Sequence, residues 1–252
     1  MADSSTWRDV ATPPPLLPDE VHVWRAVLGP GAASAAALDD AERARAARFY
    51  YERHRRRFVA ARAILRRLLG RYLGVAPGDV AFAYGEHGKP ALPTTTAGAA
   101  PHPLRFNLSH CADRALLAFA VGRDVGVDLE RPRPRLDTAA AAERWFSPRE
   151  SDELRALPLP RHADAFAAGW ARKEAYLKGR ASGLARSLTT FSVSLAAADG
   201  PVSLVDPDGD GWVVCALAPG DGYAGALAVE RGAGVTVRRL RWELEWPDDP
   251  AP

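Results

Sequence analysis

Cysteine is nearly missing from this chain: Cys111 and Cys215 are the only two in 252 residues. So far apart, they supply neither a disulfide framework nor a structural zinc site, and a reducing cytoplasm suits them. Net charge is nearly missing as well, with 33 Lys plus Arg against 31 Asp plus Glu, so the total by itself selects no partner. No apolar run approaches the roughly 18 residues of a membrane-spanning helix. The opening MADSSTWRDVATPPPLLPDE has no basic start followed by an apolar stretch, so neither secretion nor a membrane span is expected. What is present, 47% hydrophobic and 25% charged residues, suffices for one large globular domain or two of about 120 residues each.

The balanced total conceals segregation. From Arg43 to Arg71 there are eleven arginines and one acid, Glu52. Two readings stand: a helix whose Arg stems cover apolar neighbours while the heads reach water, or an anion-binding surface for phosphates, nucleic acid or an acidic protein.

Residues 1–20, rich in proline, read as a flexible lead-in. Val21 to Leu28 alternates like a strand and ends at a Gly-Pro turn. Ala36 to Tyr51 and His54 to Leu73, rich in Ala, Arg and Leu, predict two helices. Asp79 to Tyr84 predicts a strand, GEHGKP a turn and TTTAGAAPHP a small-residue loop. Ala115 to Val121 and Asp124 to Leu129 predict strands joined at Gly122. The prolines of RPRPRLDT impose a loop, and Ser147-Pro148-Arg149-Glu150 reads as an N-cap followed by a helix start. A longer helix is expected from Arg161 to Lys178. Thr190 to Leu195, Trp212 to Leu217, Gly222 to Val229 and Val235 to Trp246 predict a terminal sheet. The doubled order suggests two similar halves, 21–122 and 123–246, with a tail at 247–252.

Four segments carry chemistry. In the strand VGVDLE, Asp128 and Glu130 share one face while Val127 and Leu129 take the other. Two such carboxylates repel unless a cation lies between them, which suits a hard ion such as magnesium; a strand end facing water is the alternative. In WARKEAYLK, Trp170, Glu174 and Lys178 are spaced i, i+4, i+8 along one helix side with Lys173 adjacent, which also fits a surface salt bridge. FNLSH, Phe106 to His110, and Gly88-Lys89-Pro90 fall where loops meet strands. GEHGK is no Walker loop, since Ala83 and Pro90 stand at required positions. Asp206, Asp208 and Asp210 suggest a hairpin turn instead of a calcium loop, because Leu217 replaces the final glutamate. Cys111 reads as a packing residue.

In that order, GKP, NLSH, VGVDLE and WARKEAYLK resemble the signature of the 4'-phosphopantetheinyl transferases of the surfactin-synthetase-activating (Sfp) type. Every fixed position of the family pattern is met, and RFVAARAILRRLLG and the strand near residue 191 extend the likeness over most of the chain. The resemblance implies an α+β fold, a pseudo-dimer of two similar halves in one chain, each a long helix packed on a small, mostly antiparallel sheet. It implies transfer of the 4'-phosphopantetheine arm of coenzyme A to a serine of an apo acyl or peptidyl carrier protein, releasing 3',5'-ADP. A cytoplasmic monomer serving polyketide or nonribosomal peptide synthesis is expected, with no nucleic acid or membrane partner.

By the same resemblance, Asp128, Glu130 and Glu174 hold Mg2+, all from the second half. Glu174 accepts the serine proton, with Glu130 the alternative, and Lys178 contacts the pyrophosphate. Lys173 anchors either the nucleotide or the carboxylate cluster. Lys89, Ser109 and His110 face the 3'-phosphate of coenzyme A, Asn107 shapes that loop and Arg45 supplies another phosphate contact; Asp128, Lys173 and Lys178 count toward the coenzyme too. Two rivals remain: a non-catalytic nucleotide or nucleic-acid binding module using the Arg-rich helix, and another phosphoryl-transfer enzyme with the same metal site.

Overall fold

The computed structural model describes residues 6–10, 12–29, 35–85, 88–93, 102–181, 186–209, 211–232 and 234–242. The loop TTTAGAAPHP, residues 243–246, the tail at 247–252, Asp210 and parts of the lead-in and of GEHGKP lie wholly or partly outside these. In chain order, the first half holds β1 (Arg8–Asp9), β2 (Glu20–Val27), α1 (Asp40–Ala47), α2 (Glu52–Leu73), β3 (Ala83–Tyr84), β4 (Pro90–Ala91), β5 (Leu104–Cys111) and β6 (Arg114–Val121). The second holds β7 (Val125–Glu130), α3 (Thr138–Trp145), α4 (Pro148–Arg155), α5 (His162–Gly179), β8 (Ser192–Val193), β9 (Gly200–Val202), β10 (Leu204–Val205), β11 (Trp212–Leu217), β12 (Ala224–Glu230) and β13 (Thr236–Arg241).

Two sheets dominate, ordered β1-β13-β2-β6-β5 and β7-β12-β11-β9. They pack face to face through Val21, Val23, Leu116 and Ala118 on one side and Val125, Val127, Leu227 and Val229 on the other. On the outer face of the first sheet, α2 buries Ile64, Leu65, Leu68 and Leu69 against Trp24, Leu117 and Phe119. On the outer face of the second, α5 buries Ala171, Ala175 and Tyr176 against Val214, Ala226 and Ala228. The result is helix, sheet, sheet, helix, an α+β arrangement with one long helix per half, as expected from the resemblance. No helix among the described residues is long and apolar enough to cross a membrane.

Several elements differ from expectation for identifiable reasons. The first predicted helix is short because Asp39 and Glu42 form a capping box that starts it at Asp40. Asp79 ends a 3-10 turn that Pro77 begins, so only Ala83–Tyr84 extends. An alanine run opened by Asp137, whose side chain accepts from the Ala140 amide, makes the unpredicted α3. FNLSH lies inside β5, not at its end. Thr190 to Leu195 pairs only at Ser192–Val193. The last strand, β13, leaves the terminal sheet altogether and inserts in parallel between β1 and β2.

Candidate active site

Glycine decides how near the catalytic elements can come. A Cβ on Gly126 would stand 2.0 Å from the Ala175 carbonyl oxygen and 2.2 Å from the Gly179 nitrogen, so only glycine lets α5 rest on β7. That approach brings Glu174 and Lys178 over Asp128. Asp128 is 3% exposed; its Oδ1 accepts from the Lys178 ammonium and from Ser109 Oγ, the latter at 2.8 Å. Its Oδ2 is buried and has no hydrogen-bond partner among the described residues. Burial first, and then the Asp128 charge, pushes Glu130 up from the usual carboxylate range. Burial also raises Glu174, with Lys178 pulling down and Asp128 pushing up.

Carboxylates at Asp128, Glu130 and Glu174, one of them with an orphaned inner oxygen, have the hard oxygen donors that suit a divalent cation such as magnesium. Among the described residues, no preformed group of three metal-binding side chains stands around a common point. The cation present at Asp128 Oδ1 is the Lys178 ammonium.

The opposite wall follows from strand alternation. Leu104, Phe106 and Leu108 of β5 face α2, whereas Asn107, Ser109 and Cys111 face the second half. Ser109 and His110 therefore point to opposite sides of β5, with Lys178 reaching Ser109 Oγ at 3.3 Å. Ser109 Oγ is turned to Asp128. On the α2 side, burial lowers the His110 pKa first, then the positive charges of Lys178, Arg57, Arg45 and His54. Arg45 lies over the Phe58 ring at 5.3 Å and lines an open basin of about 680 Å³ with Arg48, Arg62 and Tyr84. His54 and Arg57 were not singled out from sequence. Their spacing of three on α2 was the available signal, diluted by the surrounding arginines.

Three further residues make contacts of their own. Lys173 is fully buried: its ammonium contacts Glu150 Oε2 and donates to the carbonyls of Leu188 and Phe191, each at 2.7 Å. It anchors neither nucleotide nor the carboxylate cluster, because it lies one position before Glu174 on the helix and so on its inner side. Asn107 shapes no loop; its Oδ1 accepts from the Val127 amide at 2.9 Å. Lys89 directs its ammonium to the carbonyls of Lys178, Gly179 and Val125.

Beside Glu130, an apolar groove of about 330 Å³ opens between Leu136, Trp145, Phe166 and Trp170, rimmed by Arg131 and Arg133. Phe166 stacks on Phe146 at 4.7 Å, and Trp145 meets Trp170 edge-on at 6.0 Å.

Comparison with known proteins matches both halves. Residues 124–228 fit the family model described as 4'-phosphopantetheinyl transferase superfamily, and residues 23–121 fit 4'-phosphopantetheinyl transferase, N-terminal. The chain is 43% identical to the 4'-phosphopantetheinyl transferase HetI of Nostoc sp. over 85% of its own length and 89% of the relative's. It is 32% identical to a 4'-phosphopantetheinyl transferase of Bacillus subtilis, over 69% and 73% respectively. With both motif-bearing halves matched in order around one cleft, this chain belongs to the 4'-phosphopantetheinyl transferase family.

Proposed function

We propose that this chain transfers the phosphopantetheine arm of coenzyme A to the serine of an apo acyl or peptidyl carrier protein, releasing 3',5'-ADP, in a magnesium-dependent reaction of the Sfp type. The observation that carries the reading is the buried, unpartnered Asp128 Oδ2 beside Glu130, Glu174 and Lys178, opposite a wall of Arg45, His54, Arg57 and His110. Magnesium held by Asp128, Glu130 and Glu174 would neutralise the pyrophosphate oxygens while the leaving phosphate departs. The serine Oγ forms the new bond to the β-phosphorus, and the pyrophosphate bridge breaks. Glu174, among the described residues free of hydrogen bonds and raised by burial, takes the serine proton, and Glu130 is the alternative acceptor.

Lys178 sits where one ammonium can pass from Asp128 to a pyrophosphate oxygen. The basic wall of α1, α2 and β5 takes the nucleotide phosphates. The apolar groove next to Glu130, with its arginine rim, suits an acidic carrier helix presenting the serine. Two free thiols are in keeping with a reducing cytoplasm, a monomer is proposed, and carriers of polyketide or nonribosomal peptide assembly are the proposed substrates.

The test is incubation with an apo carrier, coenzyme A and magnesium followed by intact-mass measurement. A magnesium-dependent gain of one phosphopantetheine is the expected result. No gain on acyl and peptidyl carriers alike, with salt-sensitive nucleic-acid binding instead, would favour the binding-module reading.

A further inference from the structure

Lys89 belongs to the first half, yet its ammonium ends in the second. Nζ lies 2.7 Å from the Lys178 carbonyl oxygen, 3.1 Å from that of Gly179 and 3.3 Å from that of Val125. An ammonium has three donors and no more, so each is directed to a backbone carbonyl. Lys178 and Gly179 close α5, where the helix dipole is negative and the last carbonyls have few backbone donors, that of Lys178 accepting from the Ala181 amide at 3.3 Å, so a cation is favoured there. Val125 opens β7. One side chain thus joins the end of the helix bearing Glu174 and Lys178 to the start of the strand bearing Asp128 and Glu130.

A second bond crosses at the same place, from the Val127 amide to Asn107 Oδ1. The edge strands β5 and β7 belong to separate sheets and share no ladder. Lys89 and Asn107 supply the missing polar connections at the two alternate β7 residues flanking Gly126, on which α5 rests.

We infer that Lys89 is a positioning residue, a clamp that fixes α5 against β7 from the opposite half and so sets the spacing of the carboxylates, and that it does not bind the 3'-phosphate of coenzyme A. The inference rests on the proposed transferase reading for its kinetic consequences but not for its structural ones. A 3'-phosphate contact would show in the affinity for one phosphate. A clamp acts on turnover and on the end of α5, whichever coenzyme is bound.

Lys89→Met keeps the stem length and removes all three donors. With coenzyme A and 3'-dephospho-coenzyme A alike, kcat falls from tenfold to about a hundredfold, the effect of sub-ångström to ångström misplacement. The preference for coenzyme A over the dephospho form is retained, and the calorimetric Kd for coenzyme A stays within about twofold of the parent. Amides at 176–181 exchange faster with solvent in the variant whether or not the parent transfers anything, which separates failure of the clamp from failure of the proposed activity. Lys89→Arg recovers most of the turnover. Should Lys89→Met fail to fold, Lys89→Gln, with two donors, carries the same comparison at smaller amplitude. Loss of the preference for coenzyme A with kcat unchanged, or unaltered exchange at 176–181, would overturn the inference.

Discussion

Lys173 and Glu150 face each other with both side chains at 0% exposure. Glu150 also accepts from the amides of Ser147 and Val193, so its charge is fixed in place and depends on the ammonium. Lys173→Met should therefore destabilise the protein by roughly 3–5 kcal/mol, the cost of an uncompensated buried charge. Adding Glu150→Gln should recover part of that loss in urea denaturation. Asp128→Asn should behave oppositely, leaving the unfolding free energy within about 1 kcal/mol of the parent while transfer falls below detection in the intact-mass assay. Lys173 and Lys178 stand in one sequence motif, and residue type cannot tell them apart. Only the helix face does: position 173 turns toward Glu150 and position 178 toward Asp128. Asp128 and Glu130, by contrast, were legible from the period of two alone, since β7 is regular and Val127 and Leu129 fill the core behind them.

The Arg-rich segment divides once α1 and α2 are in place. Arg62 and Arg66 are buried on Glu42, Arg66 also reaching Asp39, whereas the charges of Arg45 and Arg57 act on His110. Arg62 and Arg66 thus fit neither reading, since their heads are buried on acids of another helix, and the segment's own composition could not show this because those partners lie outside it. Helix α5 depends on Gly126 in the same non-local way. Gly126→Ala should push α5 off β7, costing about 1–3 kcal/mol or more in a urea titration and lowering kcat beyond what that loss of stability explains. A third contact of this kind is pH-dependent. His22, at 0% exposure, accepts at Nδ1 from the Tyr72 hydroxyl of α2 and places Nε2 3.3 Å from Glu20, which Arg238 also engages. Burial lowers the His22 pKa from 6.5 to about 4, with Glu20 opposing the shift and Arg238 adding to it. The unfolded chain then takes up the proton first. This stability is intact above pH 6.5 and is lost as pH falls toward 4, by about 2 kcal/mol between neutrality and pH 5. A His22→Asn variant should show a flatter stability profile across that window.

The matched family models cover residues 23–121 and 124–228, yet the chain does not come apart between them. β13, last among the described strands, lies between β1 and β2 in the first sheet, pairing in parallel from Thr236↔Glu20 to Arg241↔Arg25. Its Arg239 reaches back to Asp199, just ahead of β9 in the second sheet, while Trp7 donates to the Ala218 carbonyl at 2.7 Å and Arg25 and Arg114 both donate to that of Pro219. Alternation in the sequence marked β13 as a strand but could not name its sheet, because a parallel partner more than two hundred residues away leaves no local turn signal. Val235 and Val237 complete the apolar layer between the sheets, so removing β13 exposes that layer and leaves β2 with one bare edge. A chain ending at Gly232 should consequently lose the cooperative unfolding of both sheets, including β7-β12-β11-β9, from which no strand was cut. Calorimetry tests this directly: one transition is expected for the full chain, with the ratio of calorimetric to van't Hoff enthalpy near one. Two well-separated transitions, or a truncated chain whose second half still melts cooperatively at the parent temperature, would show that the halves fold independently and that β13 merely covers an edge.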